Sequence, residues 1–450
     1  MAAGKGTRMK SALPKVLHKL AGRALLRHAV DTAARLGPQR CIVVTGHGAE
    51  EVEASLSDTA ASFVRQMPQH GTGHAVQQAV PLMDDANAIT LILYGDVPLI
   101  SPVSAQALVQ ACAGTRLALL SFKPADAARY GRIVRNAAGE VQAIVEYKDA
   151  SPEQRAIGEV YSGIMAAPTA LLKRWVGALQ NDNAQGEYYL TDVVALAVAE
   201  GVSVVAQVTD DETEVAGVND AAQLAALERE FQRRQAAALL EQGVRLADPA
   251  RIDIRGSLHC GPDVEIDVNT VFEGQVRLDE GVRIGANCVL RDAHIEAGAV
   301  VHPFSHIEGA RVGKGSLIGP FARLRPGAEL GAGVHIGNFV EVKNSTLAAG
   351  AKANHLAYLG DATVGERVNY GAGSITANYD GANKHRTVIG NDVHVGSNCV
   401  LIAPVTLGDG ATIGGGSTIS KDAPAGQLTV ARARQVSLPG WQRPAKKKAG

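Results

Sequence analysis

Two hydrophobic periods divide the chain. Up to about residue 218, short β-rich runs alternate with amphipathic stretches. Cys41–Thr45, Ile89–Tyr94, Leu117–Phe122, Val141–Tyr147 and Val202–Val208 read as strands, with Arg23–Leu36, Gly73–Met83, Ser104–Ala113 and Tyr189–Ala199 as helices between them. This alternation predicts a mostly parallel sheet covered by helices, with ligands outside the carboxyl ends of the strands. From residue 244 the period becomes six. Val312, Ile318, Leu324, Leu330, Ile336 and Val342 keep it without a slip, as do Ile389, Val395, Leu401, Leu407, Ile413 and Ile419. Shorter runs such as Leu278–Ile284–Leu290 and Leu347–Ala353–Leu359 join them through one-residue shifts. A helix face needs a period of 3.6, so one aliphatic in six predicts a triangular β-solenoid of roughly ten coils, each burying its apolar row against its neighbours. Between the two periods, Leu224, Leu227, Phe231, Ala238 and Leu239 recur at helical spacing from Asn219 to Gly243. Asn219 or Asp220 is placed to cap this linker helix and Gly243 to end it. The predicted domains are 1–218, 219–243 and 244–450.

Composition sharpens the division. Of 49 glycines, 30 follow residue 243, as the tight corners of a solenoid require. The balance of 44 Lys+Arg against 45 Asp+Glu argues against a nucleic-acid binder. No apolar run is long enough to predict a membrane span. The five cysteines are scattered and form no CxxC, which points to a reducing, cytoplasmic setting rather than a disulfide framework or a Cys-rich zinc site. The end, Arg443-Pro444-Ala445-Lys446-Lys447-Lys448, reads as a solvated basic tail anchored by Trp441.

Candidate chemistry lies in both parts. Ala2-Ala3-Gly4-Lys5-Gly6-Thr7-Arg8, followed by Lys15, is a glycine-rich turn with two cations, suited to phosphate. Asp96, just past an apolar strand in Tyr94-Gly95-Asp96, suits a carboxylate holding Mg²⁺ against a triphosphate. In the solenoid, polar residues break the rhythm at Arg323–Pro326, Glu341–Lys343, Asn354–Tyr358, Asn369 and Asn378–Lys384. His294, His302, His306, His335 and His394 raise a zinc alternative, which Lys343, Lys384 and Arg325 oppose by repelling a metal and attracting a phosphate.

The order AAGKGTRM, PKVLH, GTGHA, YGDVPLI, YGRIVR, VEYKDA, EYYLTDV and GVND resembles sugar-1-phosphate nucleotidyltransferases. With the solenoid behind it, nearly the whole chain resembles the bacterial bifunctional N-acetylglucosamine-1-phosphate uridyltransferase/glucosamine-1-phosphate acetyltransferases. The resemblance implies an α/β, Rossmann-like nucleotidyltransferase domain, a linker helix and a left-handed parallel β-helix that packs as a homotrimer. It implies that acetyl-CoA and UTP are co-substrates, with Mg²⁺ as cofactor, and that the product, UDP-N-acetylglucosamine, feeds peptidoglycan and lipopolysaccharide synthesis. A monofunctional nucleotidyltransferase with a structural solenoid is the alternative, and a non-catalytic regulatory paralogue a third reading.

By the same resemblance Ala2, Ala3, Gly4 and Gln66 hold uracil, with Gly71 and Thr72 beside it. Arg8, Lys15, Tyr94 and Gly95 complete the nucleotide site; Asp96 and Asn219 bind Mg²⁺; Gly131 and Glu146 contact the sugar. In the second domain Arg325, Lys343, Tyr358, Asn369 and Lys384 grip glucosamine 1-phosphate. His355 is the general base, oriented by Glu341. The Ala372 N–H meets the developing oxyanion, and Asn378, Tyr379, Ser397, Gly415 and Arg432 lie along acetyl-CoA. Two positions depart from the family's pattern: Tyr161 stands where Asn is usual, and Gly415 where Ala is frequent. The phosphate turn also begins at Ala2, with no strand before it. The family has an apolar strand there, so the chain is expected to be short at its N-terminus and to carry an open apolar slot in its first domain.

Overall fold

The computed structural model describes residues 1–127 and 129–444; Ala445–Lys448 of the predicted tail lies outside them. The chain divides into two compact units, Met1–Arg234 and Gln235–Gly450. The helix Ala221–Glu241 runs across that division. Asp220 accepts from the Gln223 N–H at 2.9 Å at its start, and Gly243 follows its end at φ 87°. Asn219 does not cap it, because its side chain turns to Arg8 and Lys15 instead.

In the first unit all five predicted strands form, with ends shifted by up to two residues. Ile89–Ile92, Leu117–Phe122 and Val204–Thr209 share one direction, as the parallel reading expects, but one strand and a hairpin interrupt the order. Val204–Thr209 lies parallel to Leu117–Phe122, but Val160–Pro168 runs antiparallel to Leu117–Phe122 and to Ile89–Ile92, and Arg132–Arg135 forms an antiparallel hairpin with Val141–Val145. The deciding strand, Val160–Pro168, has no alternation to read because it is buried on both faces almost throughout. Gly163, at φ 96°, lies within it. Cys41–Thr45 pairs in parallel with Ala61–Arg65, also unpredicted.

Met1–Ala3 sits between two strand edges. The Ala2 N–H donates to Val44 O at 2.8 Å, and Gly95 N–H donates to Met1 O at 2.9 Å. The Met1 ammonium donates to Leu93 O at 2.7 Å, and burial lowers its pKa to about 6. Alongside lies an apolar slot of about 720 Å³ lined by Leu26, Val43, Val44, Leu91 and Leu93 among others.

The second unit is the solenoid. Its strands form one sheet of 11 and another of 16, all parallel. Leu317 pairs with His335 and Ile318 with Ile336, so one coil takes three sixes. Elsewhere a coil drops one residue, as where His335 pairs with Lys352; these are the one-residue shifts in the sequence. The twelve aliphatics of the two unbroken runs are all buried. Each contributes about 1.5–3 kcal/mol relative to an exposed position, and the row closes only because the next coil covers it. One coil is longer: Asn369 pairs with His394, and Ile375 with Val400. The extra residues form a hairpin in which Tyr379 bridges Lys384.

Candidate functional sites

The first site gathers at the end of the strand Ile89–Ile92. Lys15 Nζ contacts Asp96 Oδ2 and lies 3.4 Å from Asn219 Oδ1. Arg8 donates to the same Asn219 oxygen at 2.8 Å. A backbone bond from Val218 N–H to Asp96 O, 2.8 Å, holds the two distant segments together. One ammonium touching both oxygens means that carboxylate and amide face a common point. A hard cation bridging to substrate phosphates needs such oxygen donors, so Asp96 and Asn219 fit Mg²⁺.

The glycine-rich turn is held by its ends. Ala3 O accepts from His47 N–H at 3.2 Å and from the Gln69 amide. The Ala3 and Gly4 N–H groups donate to nothing among the described residues, so both remain for a ligand. Gln66 is buried and gives its amide protons to Gly71 O (2.8 Å) and to His74 Nδ1 (3.1 Å). That leaves its carbonyl oxygen as an acceptor. Gly71, at φ 101°, opens the helix Thr72–Ala79, and a Cβ there would meet Tyr188 O at 2.7 Å. Thr72 Oγ1 accepts from Leu190 N–H at 3.0 Å and so ties this helix to the Tyr188–Leu190 segment. Burial, with the neighbouring His70 adding to it, lowers the pKa of His74, which sequence reasoning passed over inside GTGHA.

Gly131 and Glu146 meet on the neighbouring hairpin: a Cβ at Gly131 would lie 3.7 Å from Glu146 Oε1. Thr191 Oγ1 donates to that oxygen at 3.1 Å. Burial, with Asp192, Asp149 and Glu187 adding to it, raises the Glu146 pKa. Tyr161 is buried nearby. Its hydroxyl donates to Gly163 O at 2.7 Å, and Gly163 in turn lies against the Tyr94 ring. The hydroxyl is therefore spent on the chain, and Tyr161 does not present it as a replacement for an Asn amide.

The raised Glu146 has a testable sign. A carboxyl whose folded pKa exceeds its unfolded one stabilises the fold while protonated, and loses that contribution as pH rises through the folded value. Glu146→Gln is thus expected to gain stability relative to the parent at pH 7 and less at pH 4, measured by urea unfolding. An equal difference at both values would remove the desolvated charge from the account.

In the solenoid, Arg325 Nη1 pairs with Glu341 Oε1 at 2.7 Å. Lys384 faces Lys343 closely enough to lower its pKa, with burial and Arg325 adding to the effect. Tyr358 follows Glu341 in register on the next coil. These residues are brought together. Asn369 is not: it lies on the 11-stranded sheet, beside Lys352 and His394. His355 is exposed, and its Nδ1 lies 3.0 Å from Asn338 Oδ1. The expected partner, Glu341, is committed to Arg325. An amide oxygen only accepts, so Nδ1 carries the proton and Nε2 keeps its lone pair. Asn338 was missed because it follows an ordinary Ile336-Gly337 pair and breaks no rhythm.

Ala372 O accepts from Asn398 at 2.8 Å, while its N–H donates to nothing among the described residues. Arg432 Nη1 donates to Gly415 O at 2.5 Å, and Gly416 N–H to Ser397 O at 2.8 Å, so Ser397, Gly415 and Arg432 adjoin. A Cβ at Gly415 would lie 3.4 Å from its nearest neighbour, ordinary contact, so Ala fits there and Gly creates no special space.

Comparisons agree with both halves. The family described as MobA-like NTP transferase domain matches residues 1–245. Bacterial transferase hexapeptide (six repeats) matches 309–344 and 386–421. The "Bifunctional protein GlmU" of Methylibium petroleiphilum is 73% identical over 455 residues, covering 100% of this chain and 99% of that protein. The protein of the same name from Albidiferax ferrireducens is 67% identical over 99% of each chain. At this identity and coverage, the chain belongs to the family of bifunctional GlmU proteins.

Proposed function

We propose that the chain makes UDP-N-acetylglucosamine in two steps, acetyl transfer from acetyl-CoA to glucosamine 1-phosphate and then uridylyl transfer from UTP with release of pyrophosphate. For the first step, Arg325, Lys343 and Lys384 bind the sugar phosphate, whose charge offsets the repulsion between the two lysines. His355 Nε2 takes the proton from the amine as nitrogen attacks the thioester carbon. The Ala372 N–H donates to the oxyanion that forms, and the C–S bond breaks to release coenzyme A as its thiol. The observation that carries this step is the exposed His355, fixed through Nδ1 with Nε2 free. Asn378, Tyr379, Ser397, Gly415 and Arg432 are the residues assigned to acetyl-CoA.

For the second step, the Ala3 and Gly4 N–H groups and the Gln66 carbonyl read the uracil edge. Gly131 and Glu146 hold the acetylated sugar. A phosphate oxygen of the sugar attacks the α-phosphorus of UTP in line, and the bond to pyrophosphate breaks. Lys15 and Arg8 offset the charge that collects on the phosphates. Mg²⁺, held by Asp96 and Asn219, supplies further charge neutralisation when bound.

A homotrimer is part of this reading. Phe304, Phe321 and Phe339 stack at successive corners, 5.0 and 5.3 Å apart, and remain about half exposed. An apolar ridge of this kind is what a neighbouring copy would cover. Among the described residues no helix is long and apolar enough to cross a membrane. The five cysteines are all free, which supports a reducing compartment, the cytoplasm.

The test assays the two half-reactions separately on the intact chain. Thiol release should require glucosamine 1-phosphate, and pyrophosphate release should require both UTP and N-acetylglucosamine 1-phosphate. Pyrophosphate release without any thiol release would favour the monofunctional alternative.

A further inference from the structure

Asp361 belongs to none of the groups above, yet it lies beneath the lysine pair. It is 6% exposed. Its backbone ties three segments together: its N–H donates to Lys343 O at 3.1 Å, and its carbonyl accepts from Thr387 N–H at 3.2 Å. Its two carboxylate oxygens accept from different side chains, Oδ1 from Asn344 on the previous coil and Oδ2 from Asn378. Asn378 is the first residue of the inserted hairpin, which its carbonyl closes by accepting from His385 N–H at 2.8 Å. Within the hairpin Asp380 pairs with His385 and accepts from Ala382 and Asn383.

We propose that Asp361 is a positioning residue for acetyl transfer, bolting the hairpin that carries Tyr379 and Lys384 to the coil that carries Lys343. This inference rests on the proposed acetyltransferase reading. Without a bolt, two ammoniums facing each other would drive a hairpin stem apart; a fixed, buried carboxylate below them opposes that. The surrounding charges agree. Burial alone would raise the Asp361 pKa, but the bonds from Asn344 and Asn378 and the fields of Lys384 and Lys343 hold it below the usual carboxylate range. Other charged and titratable groups near this corner are Arg325 (paired with Glu341), Tyr358, Glu308 and Arg386, which donates to Ala362 O at 3.3 Å and to Thr363 Oγ1 at 2.8 Å. Asp380 and His385 pair with each other.

The sign of the effect separates positioning from mere proximity. A bystander carboxylate repels a phosphate, so its removal would tighten glucosamine 1-phosphate binding. A positioning carboxylate does the reverse. Asp361→Asn preserves shape and tolerates the left-handed backbone at φ 51°, while removing the charge and one acceptor. At pH 7 the KM for glucosamine 1-phosphate should rise about tenfold, with kcat changed less, as expected when a bound geometry is loosened. The alkaline limb of kcat/KM should also move to lower pH, because the lysine pair loses the carboxylate that favours its charged form. Uridylyl transfer by the same chain should not change.

An unchanged or lowered KM would overturn the proposal. So would a loss that is equal at every pH and accompanied by a lower Tm, since that marks a purely structural role. If Asp361→Asn does not fold, Asn344→Gly removes one of the two donors at a position whose φ of 45° glycine accepts. It should raise the same KM by a smaller factor, and no rise would equally overturn the idea. A parent chain without acetyl transfer would count against the functional reading instead.

Discussion

His355→Ala should lower acetyl transfer by about 10²–10⁴-fold, the range for a lost general base, and leave uridylyl transfer intact. The argument is geometric. Asn338 fixes Nδ1, so Nε2 alone is available to the amine, and an alanine leaves the bound substrate without a proton acceptor. Because His355 is exposed, little packing is lost with it, and the unfolding free energy should stay within about 0.5 kcal/mol of the parent, as for other surface substitutions. The loss should fall on kcat rather than on the KM for the sugar phosphate, since the lysines bind the phosphate. Loss of both activities would make the histidine structural. Asn338→Ala should have a smaller effect in the same direction, because it frees the ring to rotate and to change tautomer without removing it.

Asp96→Asn should lower uridylyl transfer by about 10²–10³-fold, the size seen when one group stabilising transition-state charge is removed, and leave acetyl transfer intact. The substitution is nearly isosteric, so the bond from Val218 N–H to the Asp96 carbonyl persists and the segment stays in place. What changes is charge: Lys15 loses its carboxylate, and a divalent cation loses the only anionic ligand assigned to it. The dependence of rate on Mg²⁺ should shift to higher concentrations in the variant. An unchanged Mg²⁺ dependence together with a lowered rate would place Asp96 in positioning Lys15 alone.

The two units were legible in the sequence to different degrees. A β-solenoid repeats one local rule: an inward aliphatic every six residues cannot be satisfied any other way, and all twelve aliphatics of the unbroken runs point inward. In the first unit the predicted strands were visible, but the antiparallel strand inserted among them was not. Val160–Pro168 interrupts the parallel order, and its nine residues are buried on both faces almost throughout, so period gives neither its role nor its sense. Site residues drawn from motifs came together even from distant segments, as with Lys15, Asp96 and Asn219. Pairings set by tertiary contact stayed hidden. Glu341 lies in register with Tyr358 and Asn338 with His355, and only the packing of coils shows that one serves Arg325 and the other the imidazole. Tyr161 was visible as a departure, but the fate of its hydroxyl depends on Gly163 turning its carbonyl toward the ring.

The coil length of the solenoid has a consequence for polymer entropy. A sheet of parallel strands ordinarily closes long loops, which makes it slow to form. Here most strands find their partner 17 or 18 residues away, with 20 at the first pair and 16 at the last, so these closures are short and cost about the same. The inserted hairpin lengthens one closure to 25 residues. On the logarithmic scaling of loop entropy, that change costs only ~0.3 kcal/mol. A solenoid can therefore accept a substrate-gripping excursion in one coil at almost no thermodynamic expense, provided the chain re-enters the next coil in register.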